Sequence, residues 1–266
     1  MTMDFLEEII DEGSLEGKIS FIANIDSLPK QEELVQLTGE NSIPVLPLRG
    51  VMVFPETMMP ISIGRDSSLK LVKDAMRNNS LIGIFGQVND NVDEPGINDL
   101  YHTGVVGKVV KVFNLPDGNR TAVLQGLARV RLIDLYTTEP YMTGNVDLFP
   151  EALPAKGDRE FTAIVEACKE TAVKLMKTSE LTVGMAFSLT NMSDKTMIVN
   201  FICANMNMTK EERMGLLEDS NFTDRGIHLL GILQREHQYM MLKMDIQSKT
   251  REELDKQQKE HFLRQE

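Results

Sequence analysis

Two stretches decide the fold: IPVLPLRGVMVFPETMMPISIGRD at residues 43–66 and DLYHTGVVGKVVKVFNLPDGNRTAVLQGLARVRL at residues 99–132. In both, short runs of Val, Ile and Leu are cut by Pro and Gly about every ten residues, the rhythm of a small curled β body. Strands are expected at Pro44–Leu48, Met59–Gly64, Leu81–Gln87, Val105–Asn114, Arg120–Gln125, Ala128–Tyr136 and Tyr141–Phe149. Pro47, Pro55 and Pro60 confine the first two to edges, bends or first positions, because proline has no N–H to give a ladder. Leu115-Pro116-Asp117-Gly118-Asn119 reads as a hairpin turn, with proline presetting φ and Gly118 able to take positive φ. Leu69, Leu71, Val72, Ala75 and Met76 fall at helical spacing as far as Arg77, and Asp66 or Ser67 serves as the cap. Some six strands and a helix suffice for a small barrel or pseudo-barrel.

Downstream of Glu151 the chain reads as helix. Phe161, Ile164, Val165, Cys168, Ala172, Leu175 and Met176 recur at three and four residues after Asp158, an amphipathic stripe. Ser193 is the expected cap of a second helix through Met197, Ile198, Phe201 and Ile202, and Thr209 with Glu212 makes a capping box before Met214, Leu216 and Leu217. From Phe222 to Glu266 there is no proline and, after Gly231, no glycine. One helix of roughly 40 residues and ~60 Å follows at 1.5 Å per residue. Its register runs through Leu230, Leu233, His237, Met240, Met244, Gln247, Arg251, Leu254, Gln258 and His261, apolar early and mostly polar late. The distal half therefore has nothing in its own chain to pack against and is expected to project.

Upstream, residues 1–42 hold ten Asp or Glu against Lys18 and Lys30, a balance of −8 out of the chain's −12. Such an acidic segment with few bulky anchors reads as a flexible leader. The expected partition is a leader at 1–42, a β domain at 43–150, a helical bundle at 151–220 and a long helix at 221–266. No apolar run approaches the about 20 residues of a membrane-spanning helix. MTMDFLEEIIDEG lacks the basic start of a secretory signal, so the expected location is cytoplasmic and no membrane partner is expected. Lys and Arg are not concentrated as counterion displacement requires, so nucleic acid is not an expected partner.

The search for chemistry returns no catalytic, cofactor-binding or metal site. Gly17-Lys18-Ile19 and Gly107-Lys108-Val109 lack the rest of a G-x-x-x-x-G-K-S/T cradle, and neither G-x-S-x-G nor H-E-x-x-H occurs. Cys168 and Cys203 fall on apolar helix faces, the usual place of an inert thiol, and His102, His228, His237 and His261 are scattered. Lys108, Lys111, Arg120, Arg129 and Arg131 lie on neighbouring strands and could form a positive strip, but ion pairing with local carboxylates is the favoured reading. In the strand at 128–136, Arg129, Arg131 and Ile133 alternate against Ala128, Val130 and Leu132. Methionine is in excess, 17 in all. Met58 and Met59 in the head, and Met240, Met241 and Met244 where the long helix loses its stripe, are candidates for binding apolar polypeptide, since flexible thioethers adapt to unrelated partners. Core filling is the competing reading. Arg65, at a strand-to-helix break, is expected to be exposed and joins the candidate set.

VLPLRGVMVFPETMMPISIGRD, EPGINDLYHTGVVGKV and LPDGNRTAVLQGLARVRL, in that order, resemble the N-terminal domain of the Lon family of ATP-dependent proteases. Gln258-Lys259-Glu260-His261-Phe262-Leu263-Arg264-Gln265-Glu266 is similar to the run that closes that family's long helix. The resemblance covers about residues 43–266. It implies an α+β fold, a PUA-like mostly-β pseudo-barrel of about six strands followed by an α-helical bundle that ends in one long helix. It further implies a region that recognises unfolded, damaged or tagged proteins and helps hexamers assemble. The ATPase and Ser/Lys peptidase domains, with their ATP and Mg, would lie beyond these residues, so the chain itself is not expected to be an enzyme. The alternative is a free-standing PUA-like module for RNA or a small ligand.

Overall fold

The computed structural model describes residues 21–22, 42–114, 120–137, 139–178 and 182–265. Apart from Phe21–Ile22, the expectations for the leader, for the 115–119 turn and for the side chains after Leu254 lie outside the described residues. The strands are β1 (Phe21–Ile22), β2 (Ile43–Leu48), β3 (Thr57–Ser62), β4 (Ile82–Gly86), β5 (Thr103–Asn114), β6 (Arg120–Thr137) and β7 (Thr143–Leu148). Helix α1 (Asp66–Asn78) lies between β3 and β4. After β7 come α2 (Arg159–Met176), α3 (Val183–Asn191), α4 (Lys195–Asn205), α5 (Lys210–Glu218) and α6 (Phe222–Gln265). The fold is α+β, as the sequence indicated.

The sheet runs β1-β3-β6-β5-β4-β2-β7, and β7 also pairs with β6. The ring β6-β5-β4-β2-β7 therefore closes on itself. Closure depends on the length of β6. One of its edges is taken by β5, while the other meets β3 along Thr121–Gln125 and β7 along Val130–Thr137. Sequence reading divides β6 into two strands, at Arg120–Gln125 and Ala128–Tyr136. The structure joins them through a bulge, since Gly107 pairs with Gly126 and Val106 with Ala128, which leaves Leu127 unpaired. A bulge bends and twists a strand without ending it, so one strand serves two neighbours on the same edge. Gly126 is required there: a Cβ at this position would sit 2.2 Å from the Phe54 carbonyl oxygen.

Two apolar clusters fill the body. One lies among Ile43, Val45, Phe85, Val106, Val130, Leu132 and Val146 inside the ring. The larger runs without interruption from Leu46, Phe54, Ile61 and Leu124 into Phe161, Val165, Leu189, Ile202, Leu216 and Leu233 of the helices. The helix that sits deepest is α4, buried on every side from Met197 to Asn205.

Caps show where local chemistry wins. Asp158 Oδ1 accepts from the Phe161 N–H at 3.0 Å to start α2. Thr209 and Glu212 form both halves of the expected capping box on α5. Two caps differ from expectation. Asp194, not Ser193, accepts from the Met197 N–H and starts α4. On α1 the cap position is Arg65 with no side-chain bond, and Asp66 lies inside the first turn, where its charge favours the helix dipole.

Helix α6 runs 44 residues, about 65 Å at 1.5 Å per residue. Its buried residues are Phe222, Arg225, Gly226, Leu229, Ile232 and Leu233, a face one position off the expected Leu230–Leu233 register. Gly226 lets α6 approach α2 closely, since a Cβ there would lie 2.8 Å from Ile164 Cγ2. From Met241 to Leu254 every residue is exposed. The helix has left its own core.

Gly126→Ala is expected to destabilise the protein by about 1–3 kcal/mol, because backbone rather than a flexible side chain must yield. Gly64→Ala, whose Cβ meets nothing within 4 Å, is expected to stay within about 0.5 kcal/mol. Urea unfolding of the two variants beside the parent checks both.

Candidate functional site

A cleft of about 400 Å³ opens between β2 and β3. It exists because neither strand completes the other. β2 pairs with β4 along Val45–Leu48, and with β7 only at Ile43 and Pro44. β3 has β6 on one edge and, among the described residues, only Phe21 and Ile22 on the other, opposite Met58 and Thr57. Pro47 and Pro60 stand on the two walls with no N–H to offer a strand that would zip the gap. Leu46, Leu48, Val51, Ile61 and Ile63 supply apolar lining, and Arg49, Arg65 and Asp93 form the rim. An adjoining cleft of about 370 Å³ shares Pro47, Arg65, Ser68 and Asp93 and extends to Tyr141 and Met142.

The rim is held by the 87–93 segment. Arg49 Nη2 donates to Asp93 Oδ1 at 2.7 Å and to the Val92 carbonyl at 3.0 Å. The Arg49 guanidinium holds the Asp93 carboxyl below its ordinary range. This pair is exposed, so solvent screens most of its attraction. Arg65 Nη2 donates to Gln87 Oε1 and, at 3.2 Å, to the Val92 carbonyl. Arg65 is thus half-buried, not exposed as expected, because the start of α1 turns it toward this segment. Its Nε is shielded from water with no hydrogen-bond partner among the described residues. Burial and then the neighbouring Arg49 pull its pKa down.

The methionine candidates separate. Met59 is 3% exposed and packs in the core, which corrects its place in the candidate set: alternate β3 residues face inward, and Met59 and Ile61 are on that side. Met58 is half-buried on the opposite face. Met240 is half-buried, while Met241 and Met244 are exposed on α6 beyond its last buried residue, together with Tyr239, Leu242 and Ile246. Tyr239, Leu242 and Ile246 were missed because they sit off the three-four register used to read the helix. The structure does not bring the head and α6 candidates together: neither cleft is lined by an α6 residue.

The basic strip, the less favoured of the two readings of these cations, loses Arg129 from its surface. Arg129 is 1% exposed, although its strand alternation pointed it outward, because the end of α5 covers that face of β6. Arg129 Nη1 donates to the Leu217 and Asp219 carbonyls at 2.7 and 2.9 Å, and Nη2 donates to the Pro150 carbonyl at 2.9 Å. Its Nε lies 3.1 Å from Glu151 Oε1 as an ion pair. The same carboxylate oxygen accepts from Arg225 Nη2 at 2.6 Å, and Arg225 also donates to Asn200 Oδ1 and to the Asp219 carbonyl. Burial pulls the Arg129 pKa down to about 10, which still leaves it charged at neutral pH. Arg131 stacks 4.1 Å over the Phe149 ring, and Arg120 lies 3.9 Å from Asp66.

Beside this junction Glu56, in a left-handed turn at φ 60°, accepts from Thr196 Oγ1 at 3.4 Å. Burial, followed by Asp194 and Glu151, raises its carboxyl above the ordinary value. Burial pushes the Cys168 and Cys203 thiols up to about 12, so neither is a nucleophile at neutral pH. Among the described residues no three His, Cys, Asp or Glu side chains come together to hold a metal ion, and no helix is long and apolar enough to cross a membrane. What the geometry offers is binding surface: an apolar cleft with a cationic rim, and exposed apolar side chains on two sides of α6.

Comparison with known proteins agrees with that character. The family model for the ATP-dependent protease La (LON) substrate-binding domain matches residues 42–235. The Lon protease of Flavobacterium johnsoniae is 38% identical over 241 residues, which covers 89% of this chain and 29% of the relative. That of Porphyromonas gingivalis is 40% identical over 232 residues, covering 85% and 27%. The chain thus spans under a third of the length of these curated relatives. Among solved structures, the N-terminal domain of Mycobacterium avium complex Lon protease aligns with a TM-score of 0.59 over 73% of this chain and 98% of that one, at 19% identity, a likeness of fold.

Glu151→Ala leaves two buried guanidiniums without their counter-charge and is expected to destabilise by about 3–5 kcal/mol, whereas Lys174→Ala at the exposed Lys174–Glu170 pair is expected to change stability little. Urea denaturation gives both values. Glu56→Gln is expected to stabilise at neutral pH. Because the folded-state pKa of Glu56 is raised, the native protein holds that proton more tightly than the unfolded chain, and stability is lost as pH rises through the folded value. The advantage of Glu56→Gln should therefore vanish as pH falls below the ordinary carboxylate range, and a series of unfolding curves against pH checks the sign.

Proposed function

The chain belongs to the family of the ATP-dependent protease La (LON) substrate-binding domain, and on that premise we propose that it is the substrate-recognition and assembly region of an ATP-dependent Lon-like protease. In this reading it holds unfolded, damaged or tagged proteins in the cytoplasm and delivers them to ATPase and Ser/Lys peptidase domains of a longer hexameric protein, where ATP and Mg act. The partition into head (43–150), bundle (151–220) and long helix (221–266) then has a division of labour: the head and bundle anchor the helix, and the helix leads toward the ATPase module. The chain's own residues do no bond-breaking chemistry in this scheme.

The observation that carries the proposal is the set of exposed apolar side chains on two turns of α6, Tyr239, Leu242 and Ile246 on one side and Met241 and Met244 on the other. Tyr239 is 65% exposed, and Met241, Leu242, Met244 and Ile246 are each more than half exposed. Scattered surface hydrophobics are ordinary, but a run of them on consecutive turns of a helix marks an interaction surface. Two of the five are unbranched thioethers, which re-pack against different partners at little cost and so suit a surface that must accept many sequences. From Phe222 to Glu266 Lys and Arg are not in excess over Asp and Glu, which favours protein over nucleic-acid partners there.

Binding of a chemically unfolded, fluorescently labelled model protein to the 266-residue chain tests this. A chain carrying Met241→Ser, Leu242→Ser and Met244→Ser is expected to bind at least about tenfold more weakly, since each buried apolar side chain contributes about 1 kcal/mol or more. These side chains are exposed, so folding is expected to be unchanged by circular dichroism. No binding by the parent, or equal binding by the triple variant, would contradict the proposal.

A further inference from the structure

The rim of the β2–β3 cleft carries an arrangement that the α6 surface does not explain. Two guanidiniums converge on one carbonyl: Arg49 Nη2 at 3.0 Å and Arg65 Nη2 at 3.2 Å from the Val92 oxygen. The carboxylate that completes the group, Asp93, belongs to an exposed loop, and its side chain is 90% exposed even while bound to Arg49. Immediately before it, Val92 meets the rim through its carbonyl, while the residue lines neither cleft. The rim is thus occupied by a main-chain carbonyl followed by a carboxylate, both supplied by a surface loop.

We propose that the cleft binds an extended polypeptide segment in which Asp or Glu adjoins apolar residues, the carboxylate replacing Asp93 on Arg49 while its apolar neighbours enter the space between β2 and β3. This rests on the polypeptide-binding reading above and adds a second surface with a sequence preference of its own. Three observations carry it. The free edge of β3 already takes extended chain, because Phe21 and Ile22 pair with Met58 and Thr57 in antiparallel register. Two residues further on stands Pro60, which cannot donate to a continuing ladder, so selection at the cleft falls to side chains. Exchange of one carboxylate for another leaves Arg49 paired throughout, and Arg65 presents a second cation at the same rim. The acid is favoured on the Arg49 side, since Asp66, Asp93, Glu94 and Glu139 line the adjoining cleft against Arg65 and Lys70.

Fluorescence anisotropy with two labelled peptides of about 12 residues tests this against the 266-residue chain. The peptides have the same apolar composition and differ only in a central Asp or Asn flanked by Val and Leu. The Asp peptide is expected to bind at least about fivefold more tightly, with the difference collapsing in about 0.5 M NaCl as an exposed ion pair is screened. Asp93→Asn, which removes the internal competitor, is expected to tighten the Asp peptide several-fold. Arg49→Glu is expected to reverse the preference toward a peptide with Lys at the centre, and circular dichroism of each variant confirms that it is folded. Equal affinity for the Asp and Asn peptides, or a folded Arg49→Glu chain that still prefers Asp, overturns the proposal. If neither peptide binds while the unfolded protein still binds through α6, the cleft site alone is wrong. If the unfolded protein also fails to bind, the wider polypeptide-binding reading falls with it.

Discussion

The placement of the long helix depends on one carboxylate. Glu151 stands between Arg129 of β6 and Arg225 of α6, and a single oxygen of it meets both guanidiniums. Removing two guanidiniums from water costs several kcal/mol each, and a Coulomb attraction alone seldom offsets that. Here the terminal nitrogens of both guanidiniums are met as well, by the carbonyls of Pro150, Leu217 and Asp219 and by Asn200, while Arg225 Nε has no hydrogen-bond partner among the described residues. Leu217 and Asp219 end α5, where the helix dipole is negative, so the cations sit where the backbone itself favours them. The β ring, α4, α5 and the root of α6 are thereby tied at one point. An apolar core alone would tolerate sliding among these elements, whereas a shared, directional set of bonds does not.

The cleft is a consequence of how the ring closes. A strand long enough to hold β3 at one end and β7 at the other must bend between them, and Gly126 with the Leu127 bulge provides the bend. β3 is then carried outside the closed ring and faces β2 across a gap that prolines on both walls keep from being bridged. Natural sheets commonly blunt an exposed edge in this way. The device that prevents edge-to-edge aggregation leaves an apolar recess accessible to side chains, and the loop bearing Val92 and Asp93 lies at its mouth.

Much of this was legible in the sequence, and what was not has a common cause. The strand rhythm, the β5–β6 hairpin, the Thr209–Glu212 box, the Asp158 cap and the length of α6 depend on neighbours a few residues away, and local chemistry is written locally. Arg129 is the opposite case. Its alternation places it correctly on the outer face of β6, but whether that face meets water is decided by the end of α5, some 90 residues downstream. Met58 and Met59 are adjacent and chemically identical, and only the pleat of β3 tells which is core. The continuity of β6 was hidden because a bulge and a strand break share the same glycine signature. The Arg49–Asp93 pair was out of reach too, joining residues 44 apart through a loop whose path no periodicity records.

The exposed portion of α6 raises a physical question, since a lone helix in water bears an unfavourable nucleation step and, among the described residues, every position from Met241 to Leu254 is exposed. Its root answers it. Phe222, Arg225, Leu229, Ile232 and Leu233 are fixed in the body, so the first turns exist already and each further residue adds one hydrogen bond to an established helix. The Lys249–Asp245 pair at 2.7 Å, one turn apart, supports the outer portion. Helical order there does not require the apolar residues to be buried, and Tyr239, Met241, Leu242, Met244 and Ile246 are consequently free to face outward. The junction at Glu151 and the exposed apolar side chains of α6 are two ends of one arrangement: because the root is locked by charge and packing, the tip can display hydrophobic surface without collapsing onto its own chain.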